Sequence, residues 1–297
     1  MPPSPQPGAG KPWTIRALLT WTESYFSSHT IDSPRLTAEI LLAHSLDIKR
    51  LDLYLQHDRP LEKGELTDFK ALIKRRINRE PVAYITGSRG FWDSDFSVTP
   101  GVLIPRPETE ILVERGLEFL NAAKAPCRVL ELGVGSGAVI VSLAKALPEH
   151  SYFAGDISAD ALSVARKNAR DLAGDRISFF RGHWFSCLAP ALKFDLILSN
   201  PPYVRSADIP GLQAEVAGFE PGLALDGGSD GLDCYRQIIA AAPAHLNPGG
   251  ELILEAGCDQ AQEIQEIAKG VGRYQGVEII KDLSGLDRVA HLKKPID

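Results

Sequence analysis

The last two-thirds of the chain alternate short apolar runs with helical patterns, and this alternation constrains the fold more than any other feature. The apolar runs have the composition of buried strands and lie at residues 128–132, 152–155, 177–180, 195–199, 251–255, 277–280 and 289–292. Amphipathic stretches typical of helices lie between them, at 138–146, 159–168, 235–244 and 260–269. Such alternation predicts a mostly parallel sheet with helices on both faces. No helical pattern separates the last two runs, so we expect them to form an antiparallel pair at one edge.

The first third of the chain carries helical patterns without strands. Apolar residues recur at helical spacing over 14–28 and 61–77. Between these patterns, Ser33 can cap a helix that has Pro34 at its first position, where no N–H is needed. A proline then ends the third pattern. We predict a small helical domain over 13–81, of a kind that commonly recognises a partner or substrate ahead of a catalytic domain.

The third helical pattern ends in a basic run, Lys74-Arg75-Arg76. The favoured interpretation is a solvated helix end, because cations are stabilised near a helix C-terminus. Contact with nucleic acid or with an acidic protein surface is the alternative.

Two further segments complete the predicted organisation. Residues 1–12 are rich in proline and glycine and are predicted to be a disordered tail. Over 82–104 the helical period is lost, and residues such as Tyr84 and Thr86 predict short strands in a β-hairpin that links two domains. Residues 105–297 then form the predicted catalytic domain.

Composition and charge exclude several functional classes. The chain has 297 residues, with 32 Lys and Arg against 38 Asp and Glu, so its net charge of -6 gives no overall attraction to polyanions. Its cysteines are scattered without metal-ligand spacing, which predicts reduced thiols and no metal site: Cys127, Cys187, Cys234 and Cys258. The sequence has no secretory signal and no apolar run of the ~18 residues that cross a bilayer. We therefore expect a cytoplasmic protein.

A glycine-rich segment, Glu131-Leu132-Gly133-Val134-Gly135-Ser136-Gly137-Ala138, follows the first predicted strand of the sheet. Glycine at every second position allows a tight turn that lies against a ligand, and the next helix offers free N–H groups. Gly133, Gly135 and Ala138 also satisfy the dinucleotide-binding fingerprint, so a nicotinamide or flavin enzyme is an open alternative. The other open alternative is a turn with a purely structural role.

Two more side chains follow strands of the same predicted sheet. Asp156 lies 19 residues beyond Gly137 and can accept hydrogen bonds from both hydroxyls of a ribose, although it can instead cap the helix near Ala159. Trp184 follows the third strand and can lie against an adenine ring or belong to the core. Neither residue distinguishes between adenosine-containing cofactors.

The fourth strand leads into Asn200-Pro201-Pro202-Tyr203. The two prolines remove two backbone donors and keep the chain extended, which leaves carbonyl oxygens free to accept. Asn200 adds a side-chain acceptor, and Tyr203 adds a flat aromatic surface. This pattern predicts a site that accepts both hydrogens of a planar NH2 group, for which a dehydrogenase has no use.

These motifs together resemble the PrmC/HemK family, whose members are methyltransferases that use S-adenosylmethionine to methylate a glutamine of peptide chain release factors. The resemblance extends from about Ser33 to the end of the chain. It is carried by residues 33–36, 80–87, 104–110, 131–138, 200–203, 219–221 and 224–228. The position before Trp184 departs from the family, since it is commonly acidic in relatives and is His183 here.

The resemblance implies an α/β fold of the class I methyltransferase type, Rossmann-like, with a mostly parallel seven-stranded sheet and an antiparallel edge strand, behind a helical domain and a hairpin. It implies S-adenosylmethionine as cofactor, with S-adenosylhomocysteine as product. The implied cofactor-binding residues are Glu131, Gly133, Val134, Gly135, Ser136, Gly137, Asp156, Trp184 and Asn200. The implied substrate-binding residues are Asn200, Pro201, Pro202 and Tyr203, of which Asn200, Pro201 and Tyr203 are assigned to catalysis.

The family further implies an in-line methyl transfer to the side-chain amide of the glutamine in a Gly-Gly-Gln loop. Class 1 release factors are the expected partners of a monomer that binds neither membrane nor nucleic acid directly. The alternatives are an adenine-N6 or cytosine-N4 methyltransferase of nucleic acid, a nicotinamide-dependent oxidoreductase, and a binding module without turnover.

Overall fold

The computed structural model describes residues 12–296, so the tail predicted for residues 1–12 lies, apart from Pro12, outside the described residues. The α-helices are α1 (Ile15–Ser28), α2 (Pro34–Ser45), α3 (Arg50–Leu55), α4 (Lys63–Ile77), α5 (Val82–Thr86), α6 (Glu110–Ala122), α7 (Ala138–Ala146), α8 (Ala159–Leu172), α9 (Ala214–Phe219), α10 (Asp233–Ala241) and α11 (Ala261–Val271). The strands are β1 (Ser88–Phe91), β2 (Ser94–Ser97), β3 (Arg128–Leu132), β4 (Ser151–Asp156), β5 (Ile177–Arg181), β6 (Phe194–Ser199), β7 (Leu246–Glu255), β8 (Val277–Lys281) and β9 (Asp287–Lys293).

The described chain divides into two compact units. The first contains the residues up to Gly87 together with α9, and the second contains Ser88–Gln213 and the chain from Glu220 onward. None of the helices between residues 12 and 296 is long and apolar enough to cross a membrane.

The first unit is helical, as its apolar periodicity predicts. In α1, residues such as Ile15, Leu19 and Phe26 recur on one face and are buried in a core shared with α2 and α4. The Thr14 hydroxyl accepts a hydrogen bond from the Ala17 N–H at 3.3 Å and so caps the helix. This capping bond and the buried face fix where the first helix begins.

The start of α2 is partly as predicted. Pro34 occupies the first turn, but Ser33 makes no side-chain capping bond. Its backbone is left-handed, with φ of 46°, whereas an N-cap serine normally uses an extended backbone to direct its hydroxyl at the helix N–H groups. The prediction of a Ser33 side-chain cap is therefore wrong.

The basic run at the end of α4 is not simply a solvated helix end. Arg75 forms an ion pair with Glu80, while Arg76 is buried and donates to Glu215 of α9 at 2.8 Å. Arg79 reaches the same carboxylate at 3.5 Å. Because these cations hold α9, a helix far along the chain becomes part of the first unit.

The predicted hairpin begins later than expected. Short strands at Tyr84 and Thr86 are a wrong prediction, because residues 82–86 form α5, which a left-handed Gly87 ends. Both Tyr84 and Ile85 are buried, so tertiary packing overrides their β propensity. The hairpin itself consists of β1 and β2, paired antiparallel, and belongs to the second unit.

The second unit contains the predicted sheet, in the order β5-β4-β3-β6-β7-β9-β8. The strands β3 to β7 are mutually parallel, and β9 runs antiparallel to both β7 and β8. The mostly parallel seven-stranded sheet and its antiparallel edge pair are thus confirmed. Strand β7 begins five residues before its predicted start, because the Asn-Pro-Gly-Gly segment at 247–250 lies within the strand at an irregular register.

Helices cover both faces of this sheet. Helices α6, α7 and α8 pack in one apolar core, and α10 and α11 pack in the other. Neighbouring residues of β3 alternate between the two cores, with Val129 in the first and Leu130 in the second. A strand buried on both faces is apolar throughout, which explains why these runs are recognisable in the sequence.

The strand order reverses between β3 and β6, which lie side by side although two strands separate them in the chain. Open α/β sheets bind ligands at such a switch point, beyond the carboxyl ends of the strands. Leu132 pairs with Ser199, so the glycine segment after β3 and Asn200 after β6 leave the sheet side by side.

Candidate functional site

A cavity of about 670 Å³ lies in the second unit at the switch point. Its volume is typical of small-molecule sites, which range over roughly 300–1,000 Å³. All but one of the cofactor-binding residues predicted from the sequence line it: Glu131, Gly133, Val134, Gly135, Ser136, Asp156, Trp184 and Asn200. The exception is Gly137, the residue just before α7, which does not line the cavity.

The glycine segment turns sharply where it leaves β3. Gly133, Gly135 and Gly137 have φ of 69°, 52° and 83°, in the left-handed region that favours glycine. A Cβ at Gly137 would come within 3.2 Å of Ala165 and Val141, so glycine there also lets α7 and α8 approach closely. A Cβ at Gly135 would meet no atom within 4 Å, because this part of the backbone borders open space.

Asp156 is held by backbone donors at the end of β4. Its Oδ2 accepts from the Gly135 N–H at 3.0 Å, and its Oδ1 accepts from the Ser158 N–H at 2.8 Å. Partial burial raises the pKa of Asp156 despite these bonds. Ser158, not Asp156, caps α8, because its side chain accepts from Ala161. The capping alternative for Asp156 is therefore wrong, and each carboxylate oxygen keeps further acceptor capacity.

Glu131 is a second carboxyl group in the cavity wall. It is buried and accepts the Ile140 N–H at 2.9 Å, in the first turn of α7. Burial, together with the nearby charge of Asp156, raises the pKa of Glu131 well above its usual value. The carboxyl group thus joins the end of β3 to the start of the helix that follows the glycine segment.

Trp184 lies close to the glycine segment, with its ring next to Gly133. Its ring lies 3.6 Å from where a Gly133 Cβ would be, and its backbone has φ of 48°, uncommon for a bulky residue. The indole Nε1 is buried without a hydrogen-bond partner among residues 12–296. His183 also borders the cavity but is exposed.

Asn200 borders the cavity at the end of β6, beside the glycine segment. Its Nδ2 donates to the Thr109 hydroxyl at 3.2 Å. Thr109 in turn donates to Glu255 Oε2 at 2.6 Å. Because the amide nitrogen donates to Thr109, Oδ1 is the atom of this side chain left to accept a bond from a ligand.

The other residues of the Asn-Pro-Pro-Tyr segment occupy different surroundings. Pro202 borders the cavity, whereas Pro201 is buried beside it. Tyr203 does not line the cavity; its ring is partly buried against the core of α10 and β7. Burial, with the Glu255 charge nearby, raises the pKa of Tyr203 to about 12, so its hydroxyl stays protonated near neutral pH.

The backbone after Asn200 rests on a glycine-containing loop. Val204 exchanges backbone hydrogen bonds with this loop, donating to Leu225 and accepting from Gly227 at 2.9 and 2.8 Å. A Cβ at Gly227 would come within 2.8 Å of the Pro202 carbonyl oxygen. Only glycine therefore lets this loop support the Asn-Pro-Pro-Tyr segment so closely.

Sequence reasoning missed three residues that position this segment: Thr109, Glu255 and Gln260. Gln260 donates to the Tyr203 carbonyl oxygen at 3.0 Å. Glu255 ends β7 with an acidic residue, as Asp156 ends β4, and this similarity is the signal that could have revealed it. Thr109 lies within the family-like stretch 104–110, but its role is not visible there, because its partners lie 91 and 146 residues away.

Two loops, at 101–106 and 221–228, also line the cavity. Glu220 joins them, since it accepts from the Arg106 guanidinium at 2.6 Å and from the Ile104 N–H at 3.2 Å. Glu220 is buried, so this pair is screened little by solvent.

The donor set of the cavity fits an adenosine-containing cofactor. A carboxylate that accepts hydroxyls, an open glycine backbone at Gly135, and an aromatic ring lie around one space. These features suit S-adenosylmethionine and NAD equally. Asn200, with its acceptor directed into the same space, is the feature that suits a methyl acceptor bearing an NH2 group.

Comparison with known proteins first identifies the class. Residues 123–287 match the family model described as a methyltransferase domain. A solved methyltransferase from Pyrococcus furiosus shares the fold, with a TM-score of 0.50 and 19% identity over 77% of this chain and 100% of that chain. The second unit is a methyltransferase domain.

The particular family follows from two further matches. Residues 17–87 match the model of the PrmC N-terminal domain. A release factor glutamine methyltransferase from Geobacter sulfurreducens is 44% identical over 93% of this chain and 95% of its own length. One from Chlorobaculum tepidum is 42% identical over 94% of this chain and 96% of its own length. The chain belongs to the release factor glutamine methyltransferase family, as its motifs predict.

Proposed function

We propose that this chain transfers a methyl group from S-adenosylmethionine to the side-chain amide nitrogen of the glutamine in the Gly-Gly-Gln loop of class 1 peptide chain release factors. The observation that carries the proposal is the Asn200 amide. Its nitrogen is bonded to Thr109, so its oxygen is available to a substrate NH2 group in the cavity that contains the glycine segment. The names of the related proteins support the choice of substrate.

The proposed cofactor site uses the residues at the carboxyl ends of β3, β4 and β5. The backbone of Gly133 to Gly137 would hold the amino-acid part, Asp156 the ribose hydroxyls and Trp184 the adenine. Glu131 would keep the glycine segment in place through its bond to α7. When bound, S-adenosylmethionine supplies an electrophilic methyl group on a positively charged sulfur.

Asn200 and Pro201 are proposed to orient the substrate amide. An amide nitrogen is a weak nucleophile because its lone pair is delocalised into the carbonyl group. If Asn200 Oδ1 and the Pro201 carbonyl oxygen accept its two N–H hydrogens, the nitrogen is held with its lone pair directed at the methyl donor. Orientation of this kind supplies roughly 7–11 kcal/mol of catalysis in favourable cases.

Pro202 and Tyr203 are proposed to complete the substrate site. Pro202 lines the cavity, and the partly buried Tyr203 ring, which lies next to it in the chain but outside the cavity lining, is proposed to contact the substrate amide from beside the cavity. Its raised pKa keeps the hydroxyl neutral, so Tyr203 is assigned to positioning and not to removal of a proton. The extra proton of the product can leave to water after transfer.

The first unit is proposed to recognise the body of the release factor. We further propose that the chain acts in the cytoplasm as a monomer and does not bind nucleic acid directly. Its net charge of -6 supports the last point.

Mass spectrometry of a purified release factor, incubated with the chain and S-adenosylmethionine, tests the proposal. We expect a mass gain of one methylene unit on the Gly-Gly-Gln peptide. A parallel reaction with labelled cofactor and DNA tests the nucleic-acid alternative. Label in DNA and none in the release factor would overturn the assigned substrate.

A further inference from the structure

A buried carboxyl group lies behind the cavity wall, at the end of β7. Glu255 is 1% exposed and accepts a hydrogen bond from the Thr109 hydroxyl at 2.6 Å. Thr109 is also buried, and its oxygen accepts from Asn200 Nδ2 at 3.2 Å. The three side chains form a chain of hydrogen bonds that ends at the cavity.

The donor and acceptor of each hydrogen bond in this series follow from the protons that the three side chains carry. A threonine hydroxyl carries one proton, and an ionised carboxylate can only accept, so Thr109 must donate to Glu255. The lone pairs of Thr109 then face Asn200, which meets them with its nitrogen. Asn200 consequently presents Oδ1, and not its NH2 group, to the cavity.

We propose that Glu255 is a positioning residue whose ionised carboxylate, acting through Thr109, fixes the side-chain amide of Asn200 as a hydrogen-bond acceptor. The inference rests on the proposed function, since it explains how Asn200 comes to suit a substrate that brings two N–H donors. Glu255 itself does not border the cavity.

Protonation of Glu255 would remove this directional control. Burial raises the pKa of Glu255 to about 7, although the Thr109 hydroxyl, the Arg288 charge on β9 and the nearby Asn200 side chain lower it. Glu108, just before α6, raises it further. A protonated carboxyl can donate to Thr109, whose own proton can then turn toward Asn200 and select the opposite amide orientation.

The surroundings contain two more titratable groups. Tyr235 on α10 donates its hydroxyl to the Glu255 backbone carbonyl at 2.9 Å, and burial raises its pKa well above the usual value. Tyr203 also stays neutral near pH 7. Glu255 is therefore the group of this cluster that changes charge near neutral pH.

The test compares single-turnover methylation of a release factor as a function of pH. For the unchanged chain we expect the rate to fall about tenfold per pH unit below about pH 7. Glu255→Gln should lower the rate at about pH 8 by about 10- to 100-fold and abolish the acid limb, with KM for the release factor changed less than about threefold. Thr109→Val should behave like Glu255→Gln, and Thr109→Ser should restore the dependence on pH.

Glu266→Gln is the matched control, because Glu266 is an exposed glutamate of α11. It should retain both the rate and the acid limb. A Glu255→Gln chain that keeps the full rate at about pH 8, or keeps the acid limb, overturns the proposal. Circular dichroism and the affinity for S-adenosylhomocysteine identify a variant that has failed to fold.

A second readout separates this inference from the proposed function. NMR of the 15N-labelled chain follows the side-chain NH2 signal of Asn200 during a pH titration. We expect it to shift with an apparent pKa of about 7 and to lose this shift in Glu255→Gln and Thr109→Val. A chain that methylates no release factor but shows this titration retains the positioning role, whereas an unresponsive Asn200 signal overturns it.

Discussion

Asn200 illustrates how one side chain can determine the chemistry of a site. Its position after β6 is readable from the sequence, but its role depends on which end of the amide faces the cavity. The bond from Nδ2 to Thr109 makes that choice. Asn200 and the buried carboxyl group of Glu255 should therefore both affect activity when they are changed.

We expect Asn200→Ala to lower single-turnover methylation by about 10²–10³-fold, the range found when one fixed polar group is removed from a transition-state site. Affinity for S-adenosylhomocysteine, measured by calorimetry, should change far less, because most of the proposed cofactor contacts lie elsewhere in the cavity. Asn121→Ala, at an exposed asparagine of α6, is the control. A near-normal rate in Asn200→Ala would contradict the proposed role.

Glu255 also has a consequence for stability. Its pKa rises from near 4.5 to about 7 on folding, so between these values the folded chain binds a proton that the unfolded chain has released. The unfolding free energy should therefore fall as pH rises from about 4.5 to 7. Glu255→Gln should remove this loss and gain up to about 3 kcal/mol at about pH 8, measured by urea denaturation. If the unfolding free energy of Glu255→Gln depended on pH as that of the unchanged chain does, this account of Glu255 would be contradicted.

At the scale of elements, the Asn-Pro-Pro-Tyr segment depends on the loop after α9. Gly231 has φ of 77°, and a Cβ there would come within 2.5 Å of the Tyr203 carbonyl oxygen and 2.7 Å of Gln260. The clash is with backbone on one side, so it cannot be relieved by a rotamer change alone. This packing explains why a glycine-rich stretch far from the proposed reacting atoms belongs to the site.

We expect Gly231→Ala to lower the unfolding free energy by about 1–3 kcal/mol, through left-handed backbone strain and displacement of the Tyr203 carbonyl. Methylation should fall as well, because the segment that holds Asn200 would move. Gly276→Ala is the matched control, since a Cβ there meets nothing within 4 Å and its φ is not in the left-handed region. Equal stability and activity of the two variants would refute this account of Gly231.

At the scale of the whole molecule, the surface of the first unit bears on how an intact substrate is recognised. The first unit exposes several large apolar side chains of α2 and α3: Leu36, Leu51, Tyr54 and Leu55. Leu51 is 67% exposed and Leu55 is 72% exposed. Exposed apolar groups clustered on a small helical unit are typical of a protein-binding surface.

We expect the double substitution Leu51→Asp/Leu55→Asp to raise KM for an intact release factor by about 30-fold, the loss that corresponds to one interface hot spot of about 2 kcal/mol. A short Gly-Gly-Gln peptide should be methylated at an unchanged rate, because it lacks the body of the release factor. Leu283→Asp, at a fully exposed leucine between β8 and β9, is the control. An unchanged KM for the intact substrate would exclude these leucines from recognition.

Most elements of the fold and the motifs at their ends can be read from the sequence alone. Central strands such as β3 and β6 are recognisable because strands buried on both faces are largely apolar. The glycine segment and Asn-Pro-Pro-Tyr are recognisable because glycine permits left-handed backbone conformations and proline keeps the backbone extended. Predictions from local sequence are wrong where tertiary packing opposes local preference. Tyr84 is predicted in a strand but lies in α5, and Arg76 is predicted at a solvated helix end but is buried.

Which distant residues meet, by contrast, depends on how the elements pack together. Thr109, Asn200 and Glu255 are separated by up to 146 residues, and their hydrogen bonds arise because the strand order brings β6 and β7 together beside the start of α6. Glu215 likewise joins the first unit because Arg76 and Arg79 lie within reach of it. Local patterns encode backbone conformation, whereas the orientation of a side-chain amide depends on donors and acceptors that only the folded chain assembles.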